Sequence, residues 1–220
     1  MLEAPDLRAP FHQIAEKFCK ETMQSYYAVM YESSPVARLD SKRLRVLAHP
    51  LRMRLLGLLR IDGPATATAL ARRLGTNSGQ TSYHLRQLAD VGLVEDDAER
   101  GNGRERWWRA AHGGTAWSSA DFRDDPDDRA ADEWLAGHLA RTHARWFQDW
   151  LDARPESPKE WIDAADQSDY NLRLTPQRAR AMAAELHEVV ERYRDEDDPD
   201  PAAERVTVIL HSFPHPEPSV

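Results

Sequence analysis

The chain has 220 residues and a formal net charge of −8, from 29 Lys+Arg against 37 Asp+Glu. It contains no apolar run of the roughly eighteen residues a membrane span needs, and the first ten residues carry three charged side chains and no apolar stretch of the secretory type. A single cysteine, Cys19, excludes an internal disulfide, so a cytoplasmic protein is expected. Taken whole, the acidic balance argues against nucleic acid as a partner.

In chain order, the spacing predicts a helix over 11–31, with Phe11, Ile14, Phe18, Thr22, Tyr26 and Val29 on one face and Pro10 at its start. That stripe reads as a packing face and a candidate dimer contact. Ser41 is a candidate N-cap for a helix through Ala48. His49 precedes Pro50 and breaks the helix there. A second helix follows, with Leu51, Leu55, Leu58 and Leu59 inside and Arg52, Arg54 and Arg60 outside, and Gly63-Pro64 ends it. Thr66 caps a short helix from Ala67 to Leu74, and Gly75 stands where a left-handed residue is wanted. Asn77 or Ser78 caps the next helix, which buries Leu85, Leu88 and Val91 and stops at Gly92. Two short strands, Leu93 to Asp96 and Arg104 to Arg109, flank Asn102-Gly103, a hairpin turn signal because both residues tolerate positive φ.

The charge is unevenly placed. Residues 1–40 carry −2, residues 41–110 carry +6, and residues 111–220 carry −12. A basic block inside an acidic chain points to an anionic partner for that block alone, or to solvated Arg-rich helix faces. The block reads as helices followed by a β-hairpin with basic residues at its tip. This is the order of a winged helix-turn-helix, whose second helix enters the major groove of double-stranded DNA. The DNA-facing candidates are Thr76 and Asn77 of the turn, then Ser78, Gly79, Gln80, Thr81, Ser82 and Tyr83 at the start of the second helix. They are short and hydrogen-bonding. Gln80 can pair bidentately with adenine, Ser and Thr with several bases, and a Thr methyl with thymine. Arg72, Arg73 and Arg86 are phosphate candidates, and Arg100 and Arg104 flank the wing tip.

The run Leu47-Ala48-His49-Pro50-Leu51-Arg52-Met53-Arg54-Leu55-Leu56 resembles the opening of the ArsR-type (arsenical-resistance repressor) winged-helix regulators. Ser82-Tyr83-His84-Leu85-Arg86-Gln87-Leu88, followed by Gly92-Leu93-Val94, resembles their recognition helix and the start of their wing. The resemblance spans about residues 41–110. It implies a homodimeric, sequence-specific transcriptional regulator, often a repressor released by an effector. One feature departs from the metal-sensing branch: the helix before the recognition helix, Ala67 to Leu74, holds no thiol pair for a soft metal. Other members use His and carboxylates on a C-terminal helix. Here His138 and His143 lie five apart near Glu133, which places the two imidazoles about 140° apart on a helix, so no metal site is expected.

Elsewhere, His187-Glu188-Val189-Val190-Glu191 misses the zinc-protease pattern because Glu191 stands in place of the second His. No nucleophile elbow, P-loop or dinucleotide fingerprint appears, so neither an enzyme nor a cofactor is expected. Residues 130–151 read as a helix with Leu135, Leu139, Thr142, Trp146 and Trp150 on one stripe. Thr175-Pro176 opens another helix, and Val206 to Phe213 reads as a β-strand. The Trp-rich half serves core and dimer packing, or lines a pocket for a small-molecule effector.

The expected fold is mainly α with a small β-hairpin wing. It comprises an N-terminal helical arm (1–40), a winged helix-turn-helix domain (41–110), an acidic linker (111–129) and a helical extension with a terminal strand (130–220). The expected function is a homodimeric DNA-binding regulator on a palindromic operator. The alternative is a winged-helix protein-interaction module with little sequence-specific DNA binding.

Overall fold

The computed structural model describes residues 36–100, 105–194 and 200–215. The helix expected over 11–31 lies outside the described residues. The described residues divide into two units, 36–152 and 153–215.

The first unit opens with β1 (Val36–Arg38) and α1 (Ser41–Leu47). Asp40, not Ser41, is the N-cap: its side chain accepts from the Arg43 backbone N–H at 2.8 Å. A carboxylate there also meets the positive end of the helix. α2 (Pro50–Ile61) starts at Pro50, with His49 extended before it and His49 Nδ1 accepting from Leu51 N–H at 3.1 Å. β2 (Ala65–Thr66) leads directly into α3 (Ala67–Leu74), capped by Thr66, and α4 (Ser78–Ala89) follows, capped by Asn77. The wing strands β3 (Val94–Asp96) and β4 (Trp107–Ala110) pair antiparallel, with Glu95 opposite Arg109 and Asp96 opposite Trp108. Their turn, including Asn102, Gly103 and Arg104, lies outside the described residues. β4 is the central strand, because β2 joins its other edge through Ala65↔Trp108 and Thr66↔Trp107.

One apolar core holds these parts together. Leu44 and Leu47 of α1, Leu55 of α2, Leu85 and Leu88 of α4 and Leu93 are all at most 1% exposed. Trp108 of the wing packs into the same cluster. Arg60 is not outside it as its spacing suggested. Its Nε donates to the His112 carbonyl at 3.0 Å, its Nη2 is buried without a partner, and burial pulls its pKa down to about 10.

The stretch 111–129 is not a linker. β5 (Gly114–Ala116) pairs in parallel with β1, and a 3-10 turn at Ser119–Phe122 buries Phe122. Trp117 Nε1 and Ser119 Oγ donate to the buried carboxylate of Asp132 at 2.7 and 3.0 Å. The aspartates after them are not a self-repelling solvated run. Asp125 Oδ1 accepts from the backbone N–H groups of Asp127 and Asp128 at 2.9 and 3.0 Å, at the start of α5 (Pro126–Ala153). The Asp128 amide above all, then that of Asp127 and the nearby Arg45, hold the Asp125 carboxyl below its usual range. Arg45 of α1 reaches Asp125 at 2.7 Å and the buried Asp128 at 2.5 Å. Composition alone cannot separate a solvated acidic run from a helix cap waiting for a distant arginine.

In the second unit the described part holds a 3-10 turn (Arg154–Glu156), α6 (Lys159–Ala164) and α7 (Pro176–Arg194). Thr175 Oγ1 accepts from Arg178 N–H at 3.3 Å and so begins α7. Among its described residues only Ala184 is fully buried. The strand expected over 206–213 does not form, and Val206 and Phe213 are 63% and 73% exposed. A β-rich pattern becomes a strand only beside a partner ladder, and no described residue supplies one.

Replacing Arg45 by Ala leaves the buried Asp128 carboxylate without its cation. The variant is expected to unfold at a lower urea concentration than wild type. Urea denaturation of the variant checks this, and an unchanged midpoint contradicts it.

Candidate nucleic-acid interface

The elbow between α3 and α4 is three residues long. Gly75 adopts φ 64° and ψ 37°, the left-handed region that glycine enters without strain. The Thr76 N–H bonds the Ala71 carbonyl at 2.9 Å, and the Gly75 N–H reaches the Arg72 carbonyl at 3.4 Å. This paired closure satisfies carbonyls at the end of α3. Asn77 then returns to extended backbone, and its Oδ1 accepts from the Gln80 N–H at 2.7 Å. The two caps fix the direction in which α4 leaves the turn.

α4 is two-faced. Thr81, His84, Leu85 and Leu88 are buried against the core. Ser78, Gly79, Gln80, Tyr83 and Arg86 are exposed, and Ser82 is half-buried between them. Of the sequence candidates, Thr81 is therefore corrected: it is 0% exposed, and its Oγ1 is buried without a partner. It lies four and seven residues before Leu85 and Leu88, on their face of the helix. That offset was present in the sequence, hidden inside a polar run. Asn77 is exposed but acts as a cap. Thr76 is half-buried, and its Oγ1 donates to Gln80 Oε1 at 2.7 Å.

The basic residues divide into two classes. Arg73 pairs with Asp62 at 2.9 Å. On the wing, Arg100 pairs with Asp97 at 3.5 Å, Arg106 with Asp96 at 2.8 Å and Arg109 with Glu95 at 2.7 Å. The Arg106 guanidinium also lies 4.2 Å from the centre of the Trp108 ring. Arg72 and Arg86, by contrast, are exposed and have no ion-pair partner among the described residues, and the same holds for Lys42 and Arg54. Sequence counting missed this division. Its signal was the cross-strand register, which sets Glu95 opposite Arg109.

Beneath the exposed face, the His84 ring lies tilted against that of His49, with ring centroids 4.4 Å apart, and Tyr83 meets His84 edge-on at 5.2 Å. His84 Nδ1 is buried without a partner. Burial, then Arg52, pushes the His49 pKa down, and burial, then His49 and Arg52, does the same to His84. Arg52, whose Nε donates to the Val46 carbonyl, is the cation beside the pair. The His pair thus links the start of α2 to the exposed face of α4, and burial favours its neutral form.

No group of three or more His, Cys, Asp or Glu able to hold a metal occurs among the described residues. His138 instead stacks on Trp134 with centroids 4.9 Å apart. No helix among them is long and apolar enough to cross a membrane.

Residues 47–97 match the model of a helix-turn-helix domain family. The segment runs from the end of α1 through the first wing strand. The fold is similar to the homodimeric winged helix-turn-helix DNA-binding domain of a possible ArsR-family transcriptional regulator from Mycobacterium bovis, at 22% identity over 65% of this chain and 93% of that one, with a TM-score of 0.30. It is also similar to the transcriptional repressor BigR from Xylella fastidiosa, at 20% identity over 45% and 82%, with a TM-score of 0.28. A possible transcriptional regulator for arsenical resistance matches at 28% identity over 57% and 98%, with a TM-score of 0.28. No curated protein matches the chain.

Because His49 and His84 have folded-state pKa values below their unfolded value near 6.5, the unfolded chain takes up protons first as pH falls. Stability is then full above about pH 7 and declines as pH drops through 6.5 toward the folded pKa values. His138, also pushed down, adds to the same window. Denaturation midpoints at pH 7.5, 6.5 and 5.5 are expected to fall in that order, and His84→Phe to flatten the decline. A midpoint that rises toward pH 5.5 contradicts the assignment.

Proposed function

We propose that the protein is a sequence-specific DNA-binding transcriptional regulator, acting as a homodimer in which two copies of α4 enter successive major grooves about 34 Å apart. The observation that carries this reading is the two-faced α4. It is capped at a rigid elbow and presents Ser78, Gly79, Gln80, Tyr83 and Arg86 to solvent, while its apolar residues hold it to the core. Arg86 on that face and Arg72 of α3, both exposed and without an ion-pair partner among the described residues, are suited to phosphates, which fix register without reading sequence. The match of residues 47–97 to a helix-turn-helix domain supports the same reading. Ser82 and Asn77 play supporting parts, the first at the edge of the face and the second through its cap. Arg73 and Arg100 reach DNA only by giving up their carboxylates. A palindromic operator, a repressor role and release by a small-molecule effector complete the proposal.

A second reading, a protein-interaction module, draws on the internal neutralisation of the wing, where each of Arg100, Arg106 and Arg109 already has an acidic partner.

Selection of bound sequences from a random duplex pool separates the two. The regulator is expected to enrich a palindrome. Gln80→Ala is expected to cost about 1–3 kcal/mol on that site and to relax preference at one base pair per half-site. Recovery of random sequence contradicts the DNA-reading function, and an unchanged base preference in the variant contradicts the role of Gln80.

A further inference from the structure

The hydroxyl of Thr76 belongs to neither helix cap, yet it bonds a side chain at the exposed start of α4. Thr76 is held by its backbone at the elbow, through the 2.9 Å bond from its N–H to Ala71. From there Oγ1 donates to Gln80 Oε1 at 2.7 Å. The Gln80 backbone N–H is tied to the same elbow by Asn77 Oδ1, also at 2.7 Å. Gln80 is therefore fixed at two points, its backbone N–H and its side-chain carbonyl oxygen, one of whose two lone pairs the Thr76 hydroxyl takes.

A glutamine amide offers one carbonyl oxygen and one NH2 group. Bidentate reading of adenine requires both together, the oxygen for N6–H and the nitrogen for N7. With Oε1 turned back to Thr76, the amide leads outward with its Nε2 donor. Guanine presents two acceptors, N7 and O6, on its major-groove edge, whereas adenine presents one acceptor beside a donor. A leading donor meets an acceptor anywhere on the guanine edge, and on adenine it meets the N6 amino group as readily as N7.

We propose that Thr76 is a positioning residue that fixes Gln80 as a hydrogen-bond donor, so that Gln80 selects guanine rather than the adenine its free side chain would favour. The inference rests on the DNA-reading function above and names the base class at one position of the site. It also assigns a reading role to a residue that touches no base itself.

Selection from a random duplex pool with the full chain tests it, comparing wild type, Thr76→Val, Thr76→Ser and Gln80→Ala. The position read by Gln80 is the one whose preference disappears in Gln80→Ala. Wild type is expected to enrich guanine there. Thr76→Val removes the hydroxyl but keeps the shape and the Asn77 cap, so its thermal midpoint stays that of wild type. Its guanine-over-adenine ratio at that position is expected to fall about tenfold, the scale of one good base contact. Thr76→Ser restores the ratio, because it restores the donor. Adenine enriched by wild type at that position, or an unchanged ratio in Thr76→Val, overturns the inference while leaving the DNA-reading function intact. Recovery of random sequence by wild type overturns that function and the inference with it.

Discussion

The structure depends on the three-residue elbow Gly75-Thr76-Asn77. A left-handed glycine ends α3, a pair of backbone bonds satisfies its carbonyls, and an asparagine side chain starts α4 two residues later. Neither helix is long. α3 has 8 residues and α4 has 12, lengths at which an isolated helix is marginal in water. Their relative direction is therefore set by the caps and by the shared core under them. A residue with a Cβ at position 75 would enter the left-handed region at a cost of about 1–2 kcal/mol and tilt the exposed face.

The second organising fact is where the charge goes. A net of +6 over residues 41–110 suggests a broadly cationic surface, but the fold consumes much of it. Arg45 joins α1 to the aspartates at the start of α5, Arg73 joins α3 to the end of α2, and three arginines are matched on the wing. What remains unpaired among the described residues of that block is small and includes Arg72 of α3 and Arg86 of α4. Phosphate contacts in this account position the protein, and discrimination falls to a few polar side chains on α4.

Local chemistry was legible in the sequence; long-range partnership was not. Thr66, Gly75 and Asn77 act as their side chains and positions implied, since caps and turns are decided within four residues. The spacing of Leu85 and Leu88 gave the inward face of α4, and the same spacing already placed Thr81 inside. The acidic stretch 124–128 could not be read, because its meaning rests on Arg45, some 80 residues away in the chain. Nor could the burial of Arg60 against the His112 carbonyl be read, or the absence of a ladder partner for 206–213 among the described residues, both of which are decided by what lies across space. At the candidate site, the sequence supplied the exposed residues. The structure supplied the bond between Thr76 and Gln80 and the pairing that takes the wing arginines out of the free charge.

The most direct measurement is the salt dependence of affinity for the selected duplex. Each phosphate neutralised contributes a slope of about −0.9 in log K against log salt. Arg72 and Arg86 alone then give about −2 per protomer, and engagement of Arg54 and Lys42 brings this to about −4. A slope in that range is the expected result. A flat response contradicts DNA reading by α4, and a slope steeper than about −6 per protomer contradicts the claim that the wing and elbow arginines are held by their own carboxylates.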